Sequence, residues 1–428
     1  MEQKSILRSI FDPANRANPY PLFAELRRTP VCWQEDGPHE GGSWVVSTYR
    51  EIVSLLHDPR VSSDLRNCEQ TGGDGMALEP FTFIRLDPPE HDRLRRLAMR
   101  HFGPPERPAF VEELRPQMER IAASLVDALV GERSFDVVAR VAYALPVQVI
   151  CAVLGVPPED QPRFRVWADA LVEEAGRLTA ASRSRRNETM MALRDYMIAL
   201  IERRRREPGD DLLSRMATDA GPDGRMDDGH LAATASLLLI AGHETTVNLI
   251  GNGVLTLLRN PGVLDRLRRE PALVVSTVEE LLRYEPPVQL LSNRTTLEPI
   301  EIADTTIPRG VVLTLALAAG NRDPAKFVDP DRFDPARRDN AHLGFGSGIH
   351  YCFGAPLARV EAQIALRELA RRLERPRLVV DPPPYRSSPM LRGPRELRVE
   401  VDEVRRVEAP PGPSATSVVG AMEGRPHP

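Results

Sequence analysis

Apolar residues recur at intervals of three and four along much of the chain, the spacing that places them on one face of an α-helix. The stretches with this helical spacing are 114–129, 163–178, 183–206, 231–258, 271–284 and 355–373. Short runs of β type lie at 43–47, 300–302, 311–315 and 397–401. The pattern therefore predicts a mainly α protein with small β-sheets.

The segments that connect these stretches are short. Pro- and Gly-rich segments at 155–162, 207–211 and 221–229 are short enough to be loops within one domain, and no repeat of fixed period is present. Residues 403–428 differ, because prolines stand among Gly, Ser and Ala without periodicity. We therefore predict a single domain over residues 1–402 and a disordered tail over residues 403–428.

Composition and charge narrow the class of protein. Hydrophobic residues make up 42% and charged residues 27% of the chain, which is ordinary globular usage. The formal net charge of -5 offers no basic face, so we expect no nucleic-acid partner. The apolar-leaning stretches 231–242 and 311–320 are shorter than the ~20 residues of a membrane helix, and residues 1–13 lack an apolar signal region. We expect a cytoplasmic protein without a membrane anchor.

The cysteines do not form a metal-binding set among themselves. Cys32, Cys68, Cys151 and Cys352 stand far apart, and no C-x-x-C pair is present. This spacing argues against a zinc or iron–sulfur site built from cysteine alone. Three of the four are explained as small buried hydrophobic residues in a reducing compartment, which leaves Cys352 as the candidate for chemistry.

Residues 345–354, FGSGIHYCFG, are the most informative segment and directly precede the helical stretch 355–373. Glycines at 346, 348 and 354 allow the backbone to turn sharply and to lie close to a flat ligand. The start of the following helix directs unpaired N–H groups toward the sulfur of Cys352, which favours a thiolate and hence a metal ligand. A nucleotide-binding G-x-G-x-x-G loop is disfavoured because Tyr351 stands where the third glycine belongs.

This segment closely resembles the signature F-G-x-G-x-H-x-C-x-G of the cytochrome P450 family, the haem-thiolate monooxygenases. The residues that carry the resemblance are Phe345, Gly346, Gly348, His350, Cys352 and Gly354. The resemblance implies that these residues bind haem b, with Cys352 as the axial iron ligand and His350 at a propionate. It also implies the family's fold, a helix-rich triangular prism with haem buried between two helices. An anionic sulfur ligand pushes electron density toward the iron and favours O–O cleavage.

Residues 241–246, AGHETT, form a second informative segment within the longest helical stretch. Gly242 inside a helix costs about 1 kcal/mol relative to alanine, so we expect close approach of a ligand or a local loosening of the helix there. A zinc site of the H-E-x-x-H type is excluded because Val247 stands in place of the second histidine.

In the family that the chain resembles, A-G-x-[DE]-T-T lies on the helix that crosses the haem face. The resemblance therefore implies that Ala241 contacts haem and that Glu244 and Thr245 deliver protons during dioxygen activation. Such delivery requires a titratable group and a hydroxyl within hydrogen-bond reach of the reacting oxygen, directly or through water. Taken alone, a helix acid and an alcohol are equally well explained as a capped or solvent-facing pair.

Two charged motifs are assigned to support of the haem loop. Glu280 and Arg283 stand three residues apart, so they share a helix face and can pair. Followed by two prolines, they resemble the family's E-x-x-R helix, which pairs with an arginine from a later Pro-rich segment. The resemblance makes Arg332, in DPDRF, the candidate for that arginine.

Residues 87–91, DPPEH, read as a helix start, with Asp87 as the cap and Pro88 at the first helical position. His91 and Arg95 then lie one turn apart on one face, an unfavourable pairing of cations unless an anion meets them. Haem supplies two propionates, and the resemblance assigns His91, Arg95 and Arg294 to them. Ordinary surface cations are the alternative explanation.

Apolar positions near these motifs are candidates for the substrate pocket. Aligned to the family pattern, they are Leu237, Ile240, Ala241, Leu290, Leu291 and Met390. Their aliphatic character suggests a bulky lipophilic substrate such as a natural-product intermediate, although core packing explains several of them equally well.

The resemblance implies a monooxygenase that inserts one atom of dioxygen into its substrate by hydroxylation or epoxidation. Electrons are expected from NAD(P)H through a separate ferredoxin and ferredoxin reductase, because no flavin- or Fe–S-binding segment is evident. We expect a monomer. The alternatives are oxidative coupling or cyclisation at the same site, and a non-catalytic haem-binding carrier or sensor.

Overall fold

The computed structural model describes residues 5–35, 41–71, 82–103, 106–175, 180–219, 221 and 224–406. The helices within these ranges are α1 (Ile6–Phe11), α2 (Tyr20–Leu26), α3 (Tyr49–His57), α4 (Glu90–Phe102), α5 (Phe110–Asp127), α6 (Ala144–Val153), α7 (Gln161–Ala175), α8 (Ala180–Arg206), α9 (Leu212–Thr218), α10 (Asp228–Arg259), α11 (Pro261–Arg269), α12 (Val274–Tyr284), α13 (Leu317–Gly320) and α14 (Ala355–Arg372). The prediction of a mainly α protein is confirmed.

Helix α10 is the central element and spans 32 residues. Its start is capped by the side chain of Asp227, which accepts a hydrogen bond from the backbone N–H of His230. The helix is buried along most of its length and packs against α6, α8, α12 and α14. Burial on nearly all sides explains why apolar residues continue around this helix instead of following a single stripe.

The sequence pattern located the long helices and missed short ones. The predicted stretch 231–258 lies within α10, and 355–373 corresponds to α14 with a difference of one residue. Residues 176–178 of the predicted stretch 163–178 lie outside the described residues. Helices such as α1, α9 and α13 are too short to show a periodic pattern in the sequence. Helices of this length are stabilised by tertiary packing and not by helix propensity.

The strands are short and form small sheets. They are β1 (Val31–Gln34), β2 (Ser43–Val46), β3 (Val61–Ser62), β4 (Ser134–Asp136), β5 (Leu291–Thr296), β6 (Ile300–Ile302), β7 (Thr305–Ile307), β8 (Val312–Leu315), β9 (Leu373–Glu374), β10 (Arg377–Leu378), β11 (Arg398–Glu400) and β12 (Glu403–Val404). The largest described sheet has the order β1-β2-β8-β5-β3. Within it, Arg294 of β5 is opposite Leu313 of β8, and this pairing fixes the position of the arginine.

The start of the predicted tail is paired with the body of the protein. Strand β12 forms an antiparallel pair with β9, and the backbone N–H of Arg405 donates to the carbonyl oxygen of Arg372 at 2.9 Å. The predicted boundary at residue 402 is therefore wrong for residues 403–406. The remainder of the predicted tail, 407–428, lies outside the described residues.

None of the helices within the described part of the chain combines the length and the apolar character that a membrane span requires.

Candidate active site

A cavity of about 260 Å³ lies between α10 and the loop that precedes α14. Cys352 lines it from the loop, and Ala241, Gly242 and Thr245 line it from α10. The two segments that the sequence singled out are therefore brought to opposite walls of one cavity.

The cysteine loop depends on glycine at two positions. Gly346 and Gly348 have φ values of 71° and 70°, in the left-handed region that favours glycine. A Cβ atom at Gly348 would lie 2.1 Å from the carbonyl oxygen of Leu56, so a side chain there would displace the backbone at the end of α3. The N–H of Cys352 donates to the carbonyl oxygen of Phe345 at 3.0 Å and closes the loop.

The sulfur of Cys352 faces an environment with opposing effects on its pKa. Burial raises the pKa of this thiol above its ordinary value and outweighs the backbone N–H groups of Gly354 and Ala355 and the charges of Arg95 and Arg359, which lower it. The N–H groups at the start of α14 thus direct positive charge at the sulfur, as the sequence predicts. A thiolate that also meets a metal cation fits this position.

Two histidines, the buried His91 and the half-buried His350, face each other beside the cavity. The rings of His91 and His350 are 4.4 Å apart, and His350 lines the cavity. Nδ1 of His91 lies 2.7 Å from Oδ1 of Asp92, and Nε2 of His350 lies 2.8 Å from Oγ of Ser63. The other ring nitrogens, Nε2 of His91 and Nδ1 of His350, are buried without a hydrogen-bond partner. Buried orphan nitrogens of this kind indicate a missing polar group.

Asp87 orients this cluster in a way that the sequence did not predict. Helix α4 begins at Glu90, and Asp87 caps no helix with its side chain. Its carboxylate instead accepts hydrogen bonds from Oγ of Ser62 at 2.5 Å and from the N–H of Ser63 at 2.8 Å. The predicted cap is therefore wrong: the helix begins after the two prolines, and the Asp87 carboxylate instead holds Ser63, whose hydroxyl contacts His350.

Two arginines complete a basic edge of the cavity. Arg95 and Arg294 both line it. Arg95 donates from Nη2 to the carbonyl oxygen of Tyr351 at 2.7 Å, which ties α4 to the cysteine loop. Burial and the charge of Arg85 lower the pKa of Arg294 to about 10, while Asp87 acts in the opposite sense. A group of buried cations at one edge requires anions to offset the cost of desolvation.

Thr245 and Glu244 take different positions on α10. Thr245 lines the cavity, and its Oγ1 donates to the carbonyl oxygen of Ala241 at 2.9 Å. Glu244 is buried but does not line the cavity. Its Oε1 lies 3.3 Å from Nη1 of Arg386 and accepts a hydrogen bond from Nδ2 of Asn248 at 3.4 Å.

Glu280 and Arg283 form a fully buried ion pair, with Arg283 Nη2 2.8 Å from Glu280 Oε1. The third member is Arg337, whose Nε lies 3.2 Å from Glu280 Oε2. The prediction that Arg332 pairs with this helix is wrong: its side chain is 70% exposed, and only its backbone oxygen takes part, as an acceptor from Arg283 Nη2. Sequence order alone does not distinguish the two arginines, which lie five residues apart in one irregular segment.

The predicted pocket residues divide into two sets. Leu237, Ala241 and Leu291 line the cavity. Leu290 does not, because it packs with the buried cluster around Phe23 and Val45, against which Met390 also packs. Ile240 packs against the main helical core, and the structure thus places these three residues outside the lining. Lining residues that the sequence did not indicate include Phe83, Ile84, Phe102, Ile150, Leu238, Leu249 and Val288.

Comparison with known proteins shows the family of the chain and agrees with the fold. The family model for cytochrome P450 matches residues 78–400. The chain therefore belongs to the cytochrome P450 family, and the resemblance of its sequence motifs is confirmed.

Individual relatives cover most of the chain. Cytochrome P450 107B1 of Saccharopolyspora erythraea is 38% identical over 403 residues, which cover 91% of this chain and 96% of the relative. Vitamin D(3) 25-hydroxylase of Pseudonocardia autotrophica is 39% identical over 383 residues, which cover 88% of this chain and 92% of the relative. The solved structure of the bacillaene polyketide synthase cytochrome P450 PksS of Bacillus subtilis aligns with a TM-score of 0.84 at 31% identity and covers 92% of this chain and 99% of that structure.

The chain is thus a cytochrome P450 monooxygenase, whose family uses haem b, dioxygen and electrons that come from NAD(P)H through partner proteins. The residues present fit haem b. Cys352 would supply the thiolate, and the orphan nitrogens of His91 and His350 together with Arg95 and Arg294 would meet the two propionates. When bound, haem b would supply the iron at which dioxygen is activated.

Proposed function

We propose that the protein inserts one oxygen atom into a lipophilic organic substrate, by hydroxylation or epoxidation, with electrons from a ferredoxin and a ferredoxin reductase. The observation that carries this proposal is that Cys352 of the loop before α14 and Thr245 of α10 line the same cavity. A thiolate on one side and an alcohol on the other leave space between them for a flat cofactor and a substrate.

Proton delivery is assigned to Thr245 and Glu244. The Thr245 hydroxyl lies at the cavity. There it can donate a proton to an oxygen atom and then receive a proton from a second group. The Glu244 carboxylate lies one residue away but outside the cavity lining, in contact with Arg386. A proton from Glu244 therefore has to reach Thr245 through water or after the contact with Arg386 opens.

The lining of the cavity supports a lipophilic substrate. Its distal part is formed mainly by aliphatic and aromatic side chains, among them Ile84, Ile150, Leu237 and Leu249. Such a surface orients a substrate by shape more than by hydrogen bonds. The named relatives act in keeping with this, since one hydroxylates vitamin D3 and another belongs to a polyketide synthase system. We propose a natural-product intermediate as the substrate class.

The electron-transfer partner is proposed to dock on the face beside Cys352. Ile349 and Tyr351, both in the cysteine loop, are 49% and 39% exposed there. The cytoplasmic location and the monomeric state stay predictions.

Oxidative coupling or cyclisation at the same cavity is the second candidate function, because Cys352, Thr245 and Glu244 would play the same roles in that reaction. The carrier or sensor alternative is not supported, since the relatives are monooxygenases and the chain retains both Glu244 and Thr245.

The test is reconstitution of the purified protein with a ferredoxin, its reductase, NADPH and candidate lipophilic substrates. A product heavier by one oxygen atom, labelled from isotopic dioxygen, is the expected result. A product that has lost two hydrogens without gaining oxygen would favour coupling or cyclisation. Consumption of NADPH without any substrate-derived product, across a broad library, would count against the proposal.

A further inference from the structure

The hydrogen bond that fixes the ring of His350 comes from outside the cysteine loop. Nε2 of His350 lies 2.8 Å from Oγ of Ser63, a residue that is 1% exposed and does not line the cavity. The two nitrogens of an imidazole ring point in different directions, so a partner on Nε2 also sets the direction of Nδ1. Nδ1 of His350 is buried and has no hydrogen-bond partner among the described residues. The contact with Ser63 therefore leaves Nδ1 as the nitrogen available to a group in the cavity, which His350 lines.

Ser63 is in turn held by the carboxylate of Asp87. Oδ1 of Asp87 accepts a hydrogen bond from the backbone N–H of Ser63 at 2.8 Å, and Oδ2 accepts one from Oγ of Ser62 at 2.5 Å. Hydrogen bonds to an ionised acceptor are shorter and stronger than those between neutral groups. The protein itself therefore sets the position of the serine that contacts His350.

Asp87 also joins the elements that carry other basic groups of the cavity. Ser62 ends β3 and lies opposite the residue that follows Arg294 in β5. The backbone oxygen of Asp87 accepts a hydrogen bond from the N–H of His91 at 3.0 Å, at the start of α4. One residue thus connects a strand, a helix and, through Ser63, the cysteine loop.

The chemistry of a carboxylate decides what Nδ1 has to do. An ionised propionate accepts hydrogen bonds and donates none, so Nδ1 has to carry a proton in order to bind one. In a neutral imidazole ring the other nitrogen is then an acceptor and needs a donor. The hydroxyl of Ser63 can be that donor, so it supports the form of the ring that a propionate requires.

We propose that Ser63 and Asp87 are positioning residues for the cofactor, which orient His350 so that its Nδ1 donates to a haem propionate. Neither side chain lines the cavity, so the effect of both passes through His350. Partners of this kind, one step removed from the bound group, commonly change affinity by about tenfold or more. The role concerns the retention of haem and does not depend on the substrate or on the type of oxidation.

The test is a double-mutant cycle on the rate at which haem leaves the purified holoprotein for an excess of apomyoglobin. We expect Ser63→Ala to lose haem about tenfold faster than the wild-type protein. Ser63→Thr keeps a hydroxyl and should stay within about threefold of the wild-type rate. In the His350→Phe background, the further change Ser63→Ala should alter the rate by less than about twofold, because the serine acts through the histidine.

Asp87→Asn tests the second positioning residue. It should accelerate haem loss by about threefold or more, and most of this acceleration should disappear in the His350→Phe background. Ser43→Ala is the matched control for the loss of a buried serine. Ser43 belongs to the same sheet and accepts a hydrogen bond from Oγ1 of Thr314 at 3.1 Å, outside the cavity lining. This variant should retain haem like the wild-type protein.

Several results would overturn the inference. Equal rates of haem loss for the wild-type protein and Ser63→Ala would remove the serine from haem binding. An acceleration by Ser63→Ala that is undiminished in the His350→Phe background would show that the serine acts through the fold and not through the histidine. Loss of haem as fast from Ser63→Thr as from Ser63→Ala would exclude the hydroxyl. Failure of the proposed function appears differently, as a protein that retains haem and yields no oxygenated product.

Discussion

The carboxylate of Glu244 and the guanidinium of Arg386 form a buried ion pair, 3.3 Å between Oε1 and Nη1, on the helix that lines the cavity. Arg386 comes from the segment before β11, and Arg392 of the same segment is bound to Glu285 and to the backbone oxygen of Arg16. The N-terminal segment therefore helps to fix the position of the residue that holds Glu244.

We predict that Arg386→Gln destabilises the fold and alters proton delivery. Removal of one partner leaves a buried charge, which costs about 3 kcal/mol or more in free energy of unfolding. The double variant with Glu244→Gln should be more stable than the sum of the single effects implies, because it leaves no uncompensated charge. Urea unfolding of the four proteins measures the coupling free energy, and simple additivity would contradict the ion pair. The solvent isotope effect on product formation should rise in Glu244→Gln.

Thr245→Ala should uncouple oxygen consumption from product formation. Its hydroxyl is the alcohol of α10 assigned to proton delivery, and general acid catalysis by one group contributes about 100-fold or more. We expect the share of electrons recovered in product to fall roughly tenfold or more while hydrogen peroxide rises. Thr245→Ser keeps a hydroxyl and should restore most of the coupling. Equal coupling in all three proteins would remove Thr245 from the mechanism.

Arg337→Ala should destabilise the protein and weaken haem retention, whereas Arg332→Ala should do neither. Arg337 contacts the fully buried Glu280, so its loss leaves that carboxylate short of a partner and costs about 3 kcal/mol. The exposed side chain of Arg332 predicts a change within about 0.5 kcal/mol. Thermal unfolding and the haem content of purified protein measure both. A larger loss of stability and haem in Arg332→Ala than in Arg337→Ala would restore the sequence-based assignment of Arg332.

Glu279 is expected to contribute a pH-dependent part of stability. Burial raises its pKa, but hydrogen bonds from His342 and Arg359 outweigh this and hold it at about 2, below its ordinary value of 4.5. Because the folded-state pKa is the lower one, the contribution is present above about pH 4.5 and is lost as the pH falls toward about 2.

Unfolding by urea at several pH values between these limits, for the wild-type protein and Glu279→Gln, tests this expectation. The variant should lose less stability on acidification than the wild-type protein. Glu112→Gln is the control, since the Glu112–Arg115 pair is exposed and its contribution is screened by solvent. Parallel curves for Glu279→Gln and the wild-type protein would contradict the assignment.

The sequence predicted the parts of the site that depend on local chemistry. A thiol before a helix start and a glycine within a long helix each carry a local signal, and Cys352 and Thr245 lie where those signals indicate. Long-range partners carry no such signal. Arg337 replaces Arg332 because an irregular segment decides which side chain reaches Glu280, and Leu290 leaves the cavity because neighbouring residues at a strand face opposite sides.

The fold, like the site, was predicted only where the sequence carries a local signal. Long stretches with apolar residues at helical spacing predicted α8, α10 and α14, because these helices bury apolar residues over many turns. The pairing of β12 with β9 was missed because strands of two residues have no readable alternation. Arg386 as the partner of Glu244 was also missed, since 142 positions separate them and only the folded chain brings them together.

The most direct test of the account is the absorption spectrum of the reduced, carbon-monoxide-treated protein. We predict the strongly red-shifted Soret band that a cysteine thiolate on haem iron produces. Cys352→Ser should abolish this band, whereas Cys151→Ser, which alters a buried cysteine elsewhere in the core, should preserve it. A wild-type protein without the band, or a Cys352→Ser protein that keeps it, would contradict the central claim.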